Sequence, residues 1–132
     1  MHKVILDTDI GTDVDDALAL AALMGSKEVD LIGITTVYGD VRLRSAIAMH
    51  LCSLVNREIP TFAGEGKTIS GREVWVSGSE GKNYENLASF TPQITSAVDF
   101  LVNAVVSQPK SIDVIAIGPL TNIARAIQTN LD

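Results

Sequence analysis

Carboxylates crowd the beginning of this chain. Asp7, Asp9, Asp13, Asp15 and Asp16 account for five of the sixteen acidic residues in a sequence of 132. Side chains this close repel one another unless a cation or protons come between them, so a divalent metal site is the economical reading. The plainer reading is helix capping, in which acids near a helix start accept from free backbone N–H groups and favour its dipole. Capping accounts for one or two aspartates and leaves the rest unexplained. An EF-hand loop opening at Asp7 is ruled out, because it needs an acid where Gly11 stands and a glutamate where Leu18 stands.

The elements that must position these acids follow from apolar patterning. Val4-Ile5-Leu6 predicts a short buried strand ending in Asp7, followed by a polar loop from Thr8 to Asp13. A helix is expected from Val14, with Asp13 as its N-cap and Gly25 as its end. Leu31 to Val37 is β-branched and predicts a second strand, broken by Gly39-Asp40. Arg42 to Asn56 has helical spacing, with Leu43, Ile47, Leu51 and Leu54 as its apolar stripe. Ile59 to Ala63 is a short third strand whose Pro60 suits an edge or a strand entry. Gly64 to Phe90 is a long polar loop, of a length that is usually functional or mobile. Pro92 to Ser107 is helical again, with Ile94, Val98, Leu101, Val102 and Val105 as its stripe. Ile112 to Ile117 is the fourth strand, and Gly118-Pro119 turns into a helix from Leu120 to Thr129.

Such alternation predicts an α/β fold: an open, mostly parallel sheet with flanking helices and right-handed crossovers, with no internal boundary in residues 1–132. Ligands in such sheets bind at the carboxyl ends of strands. Asp7 and Asp9, Tyr38 to Asp40, and Ile117-Gly118 are therefore expected on one rim. No strand follows the last helix, so one sheet edge is expected to be bare; the chain reads as cut short or as needing a partner there.

Composition narrows the function. A chain 46% hydrophobic and 20% charged is an ordinary globular one, and a net charge of −6 argues against nucleic acid as partner. No window approaches the roughly 18 apolar residues of a membrane span, and the Met1-His2-Lys3 start is no signal peptide, so a cytoplasmic location is expected. Cys52 is the single cysteine and reads as a small core residue.

The segment Asp7-Thr8-Asp9-Ile10-Gly11-Thr12-Asp13-Val14-Asp15-Asp16-Ala17-Leu18 resembles the signature of inosine-uridine-type nucleoside hydrolases. Two more blocks match in order, Gly33-Ile34-Thr35-Thr36-Val37-Tyr38-Gly39-Asp40 and Gly118-Pro119-Leu120-Thr121-Asn122-Ile123-Ala124. The resemblance runs the length of the chain and implies a Rossmann-like core, seen here as its amino-terminal part. It implies calcium-dependent hydrolysis of the N-glycosidic bond of ribonucleosides, in nucleoside salvage, with Ca2+ held by Asp9, Asp16 and the Ile117 carbonyl. Asp9 would also be general base, Asp15 and Asp40 would bind ribose hydroxyls, and Asp7 would support the ligands from behind. Partners are expected to be small ribonucleosides, with homo-oligomerisation open and no membrane.

The chain departs from the family pattern in places. Its first loop carries two extra residues between Gly11 and Asp15, leaving Asp13 without a role to carry over. Asp40 stands where well-studied members have Asn, and the stretch from Trp75 to Gly81 lacks the His that helps the base to leave. His2 is terminal and His50 sits in a helix, so leaving-group activation is unassigned. Trp75 and Tyr84 could stack on a base or anchor the loop, and Glu80 and Asn83 are candidates for polar base contacts. Members normally continue into a segment that supplies another calcium-binding aspartate. Two alternatives stand beside this reading: a metal- and ribose-binding remnant without hydrolysis, and a phosphotransferase of the haloacid-dehalogenase type, which also opens on Asp-x-Asp.

Overall fold

In the computed structural model, which describes residues 1–130, the first strand lies at the centre of the sheet. The elements are β1 (His2–Thr8), α1 (Asp15–Gly25), β2 (Val29–Thr36), α2 (Val41–Ser53), β3 (Thr61–Ala63), a single 3-10 turn (Leu87–Ser89), α3 (Ala97–Ser107), β4 (Ile112–Ala116) and α4 (Thr121–Thr129). The strands lie in the order β3-β2-β1-β4, and each neighbouring pair is parallel. The expected parallel α/β sheet with flanking helices is thus the observed one.

A strand flanked on both sides by others must be apolar on both faces. Val4, Ile5 and Leu6 are accordingly all buried. Val4 and Leu6 join Leu31, Ile34, Leu20, Ile47 and Cys52 in the main core, beneath α1 and α2. The opposite face meets α3 and α4: a side chain at Gly33 would collide with the Phe100 ring, which itself stacks on Phe62 at 3.9 Å. One irregularity sets this division. Val4 pairs with Leu31 but Ile5 pairs with Gly33, so Ile32 is passed over in a β-bulge. Leu31 and Ile34, three residues apart, would point to opposite faces of a regular strand. The bulge puts both in the core beneath α1 and α2.

Several boundaries differ from the sequence reading. Asp13 is not the N-cap of α1: Val14 occupies that place, with no side-chain cap, and Asp15 and Asp16 form the first turn. Helix α3 begins at Ala97 rather than Pro92, because Ser96 caps it by accepting from the Asp99 N–H; Ile94 lies outside the helix and is fully exposed. The expected stripe of α2 holds in part, with Ile47 in the core and Leu43 and Leu51 packed against it. Arg44, Ser45, Ile47, Ala48 and Cys52 are buried there, while Leu54 is exposed. Strand β3 starts at Thr61, and the Pro60 carbonyl accepts from the Ile34 N–H (2.9 Å) as the strand enters the sheet. Among the described residues no helix is long and apolar enough to cross a membrane.

Candidate active site

Three strand ends are stitched together at the carboxyl rim of the sheet. The Val37 N–H donates to the Thr8 carbonyl (3.1 Å) and the Ile117 N–H to the Asp7 carbonyl (2.9 Å), tying the exits of β2 and β4 to that of β1. Asp7 lies beneath this rim, fully buried. Its Oδ2 accepts from the Thr35 hydroxyl (2.6 Å) and the Asn122 side-chain amide (2.7 Å). Charge-assisted bonds of this kind contribute roughly 1.5–3 kcal/mol each. Its Oδ1 is buried with no hydrogen-bond partner among the described residues. Burial raises the Asp7 pKa above the usual carboxylate range, against the pull of those two bonds.

Asp16 is 6% exposed, and the Thr8 hydroxyl donates to its Oδ2 at 2.5 Å. The same Thr8 oxygen accepts from the Ile10 N–H (3.0 Å), which folds the first loop back over the strand end. Burial, reinforced by the facing Asp9 carboxylate, raises the Asp16 pKa to about 6. Asp9 and Asp16 stand within hydrogen-bonding reach of each other. Asp13 and Asp15, both exposed, form a second pair: Asp13 is raised chiefly by its hydrogen bond with Asp15, and Asp15 is lowered chiefly by the same bond.

The five acids therefore do not form one cluster. They divide into Asp9 with Asp16, Asp13 with Asp15, and Asp7 below. Among the described residues no group of three or more His, Cys, Asp or Glu side chains is placed to hold a metal ion. What does fit a hard cation is the chemistry at Asp9. Two carboxylates meet there, and the β4–α4 turn closes against them: a Cβ on Gly118 would fall 3.1 Å from Asp9 Oδ1 and 3.0 Å from its backbone nitrogen. The Ile117 carbonyl immediately precedes that approach. These are oxygen donors of the kind calcium and magnesium take, and they fill part of a shell.

Asp40 is exposed and caps α2, its Oδ1 accepting from the Leu43 N–H (3.0 Å). Beside it Tyr38 holds a left-handed backbone (φ 74°), a conformation that costs a non-glycine residue on the order of 1–3 kcal/mol. Its N–H and that of Gly39 donate to the Glu65 and Gly66 carbonyls (both 2.8 Å), which keeps the turn in place. The long loop is anchored at two points. The Trp75 N–H donates to the Tyr38 hydroxyl (2.8 Å), and the Thr12 hydroxyl donates to Glu80 Oε1 (3.1 Å). Glu80 also accepts from the Ser77 N–H (2.9 Å), and backbone N–H groups, its own first, pull its pKa down to about 2. Tyr84 and Phe90 pack edge-on against His50, so Tyr84 anchors the loop and His50 is a packing residue. The Trp75 ring and Asn83 are exposed, and His2 lies 3.8 Å from Asp113 at the far end of the sheet.

Sequence reasoning missed Asn122, Thr8, Thr35 and Arg44 as parts of this site. Asn122 stood inside a motif block, yet its link to Asp7 across 115 residues comes from the packing of α4. Arg44 is buried under the first loop, and its signal was a charged residue one step from the apolar Ile47 stripe with no acid beside it in α2.

Comparison with known proteins agrees with this arrangement. The family model described as inosine-uridine preferring nucleoside hydrolase matches residues 4–132. The chain is 38% identical to the probable uridine nucleosidase 2 of Arabidopsis thaliana, over 96% of its own length and 42% of that protein's. It is 28% identical to the pyrimidine-specific ribonucleoside hydrolase RihB of Escherichia coli, over 96% and 42%. Among solved structures, the plant nucleoside hydrolase PpNRh1 superposes with a TM-score of 0.85 at 34% identity, covering 98% of this chain and 43% of that one. The purine-preferring ribonucleoside hydrolase from Gardnerella vaginalis gives 0.80 at 29%, covering 97% and 44%. The chain thus spans well under half the length of these relatives. With the family model matched from the first strand to the end of the chain, and the same fold in PpNRh1, the chain belongs to the inosine-uridine preferring nucleoside hydrolase family.

Proposed function

We propose that the protein hydrolyses the N-glycosidic bond of ribonucleosides to ribose and free base, with calcium as cofactor. The observation that carries this reading is the meeting of Asp9 and Asp16 at the sheet rim, closed by the glycine turn after β4. Asp9, Asp16 and the Ile117 carbonyl would hold the ion. When bound, the ion supplies positive charge that acidifies and orients a water and grips the sugar hydroxyls.

The chain's own residues do the rest. Asp9 takes a proton from the water that adds to the anomeric carbon as the bond to the base nitrogen breaks; the bond's electron pair leaves with the base, which takes up a proton from solvent. Positive charge builds on the sugar as that bond lengthens, and the neighbouring carboxylates stabilise it. Asp15, exposed on the first turn of α1, accepts from a ribose hydroxyl. Asp40 does the same with the oxygen that is not capping α2. Asp7 holds the rim from below through Asn122 and Thr35.

The named relatives act on uridine, on pyrimidine ribonucleosides and on purine ribonucleosides, so what they share is the ribose end of the substrate. The reading places residues 1–132 within one domain and the protein in the cytoplasm, serving nucleoside salvage. Binding of metal and ribose without hydrolysis is a second reading for these residues alone, favoured by the pairing of the acids in place of a full cluster. The test is release of free base from uridine, cytidine, inosine and guanosine by the full protein with calcium. Asp9→Asn is expected to lower kcat by about 10²–10⁴-fold, the usual contribution of a general base. Failure to cleave any ribonucleoside removes the activity; heat on titrating calcium and ribose, without product, leaves the second reading.

A further inference from the structure

Arg44 is 2% exposed, and among the described residues no carboxylate lies within ion-pair distance of it. A guanidinium keeps its charge, and burying one without a counter-charge is costly. Packing alone does not call for it, since its neighbours along the same buried face are Ile47 and Ala48. All of its acceptors are neutral oxygens, and they belong to two different loops. Its Nε–H donates to the Tyr38 carbonyl (2.6 Å), while Nη1 donates to the carbonyls of Asp9 (2.6 Å) and Ile10 (3.0 Å) and to the Thr12 hydroxyl (3.2 Å). The backbone is shaped to receive it. Gly11 (φ 120°), Tyr38 (φ 74°) and Gly39 (φ 78°) all lie in the left-handed region, turning the two loops toward the guanidinium.

We infer that Arg44 is a positioning residue, which sets the Asp9 carboxylate by holding the Asp9 backbone against the turn that carries Tyr38 and Asp40. This rests on the role proposed above for Asp9. The bond to the Asp9 carbonyl restrains the backbone from which that carboxylate projects toward Asp16 and Gly118. The bond to Tyr38 ties the same point to the turn bearing a second ribose contact. A planar fork reaches both loops at once; an ammonium reaches one of them. The bonds of Arg44 end on protein oxygens, so its effect passes through the Asp9 backbone and the Tyr38 turn.

The test compares the full wild-type protein with Arg44→Met and Arg44→Lys by calorimetry with calcium alone, steady-state kinetics on a ribonucleoside, and amide hydrogen exchange. Arg44→Met is expected to weaken calcium binding and lower kcat, each by about 10–100-fold, the usual cost of losing a support behind a ligand. KM should move less, because the Asp15 contact on α1 lies outside the two loops that Arg44 ties together. Arg44→Lys should recover part of both losses, and it carries the test alone if Arg44→Met does not fold. Calcium affinity and kcat within about twofold of wild type in the folded variant, whatever its melting temperature, overturn the proposal. A wild-type protein inert toward both calcium and ribonucleosides instead sinks the functional reading. Arg44 then stands as a loop anchor only if exchange in Arg44→Met quickens at residues 9–13 and 38–40 alone, and falls if exchange changes everywhere or nowhere.

Discussion

Asp16 carries its acidity as a record of its surroundings. Its carboxyl titrates at about 6 in the folded chain, against about 3.9 when unfolded. The folded state therefore binds the proton more tightly, and the stability this contributes is full below the unfolded pKa. It is lost as pH rises through the folded value. The metal-free chain is accordingly expected to melt higher near pH 5 than near pH 7, with Asp16→Asn flattening that slope. Asp7 shifts in the same direction and persists in both proteins, as does Asp13, which is raised chiefly by Asp15, so the difference between wild type and variant reports mainly on Asp16. Glu80 shifts the other way, but between about 2 and its ordinary value near 4.3, outside this window. Equal slopes in the two proteins would mean that Asp16 is not the group responsible. At this scale the sequence showed that acids crowd the exit of the first strand and not how they group. Side chains at 9 and 16 meet because Thr8 folds the intervening loop back on itself, which spacing alone does not reveal.

Helix α4 works through one residue of its first turns. Asn122 is fully buried; its amide donates to Asp7 and to the Thr36 carbonyl (3.0 Å), and its oxygen accepts from the Glu65 N–H (2.8 Å). Gly64 makes room for it. A Cβ there would overlap the Asn122 amide and lie 2.5 Å from the Thr36 carbonyl, which is backbone and cannot turn aside. Gly64→Ala is thus expected to destabilise the fold by about 1–3 kcal/mol, the usual range for overpacking, and to displace the amide from Asp7. Denaturant unfolding measures the first effect; a change below experimental error would show that the β3 exit can yield. Element type was readable from apolar spacing for the strands and helices of this sheet. Helix ends were not. Val14 holds the cap position that Asp13 was expected to take, because Asp13 turns outward to Asp15. The burial of Arg44 escaped as well, since the stripe of Leu43, Ile47 and Leu51, which does face the core, by itself gives no sign of a charged residue turned inward beside it.

Across the whole molecule, apolar surface gathers on one flank. Among the described residues strand β4 is an edge, paired with β1 alone. Its Val114 is half-buried, and Val105, Val106 and Ile127 of α3 and α4, all exposed, line one shallow apolar hollow with it. An open edge next to an apolar patch favours association. The 132-residue chain is expected to sediment as concentration-dependent oligomers, and Val106→Lys with Ile127→Lys to shift it toward monomer without lowering its melting temperature. Unchanged association in that double variant would place the contact elsewhere. The parallel sheet was legible in the alternation of strands and helices; the patch was not, since it joins residues of two helices.

The bulge in β2 has a further consequence. Two phases of alternation share that strand, with Leu31 counted in one and Ile34 in the other, and passing over Ile32 resets the count between them. Thr35 meets Asp7 because of that reset. If β2 ran straight from Leu31, it would keep its length and its hydrogen bonds but come out inverted. Ile34 would press its methyl groups toward the Asp7 carboxylate, and the hydroxyl that now serves the acid would be swallowed by grease.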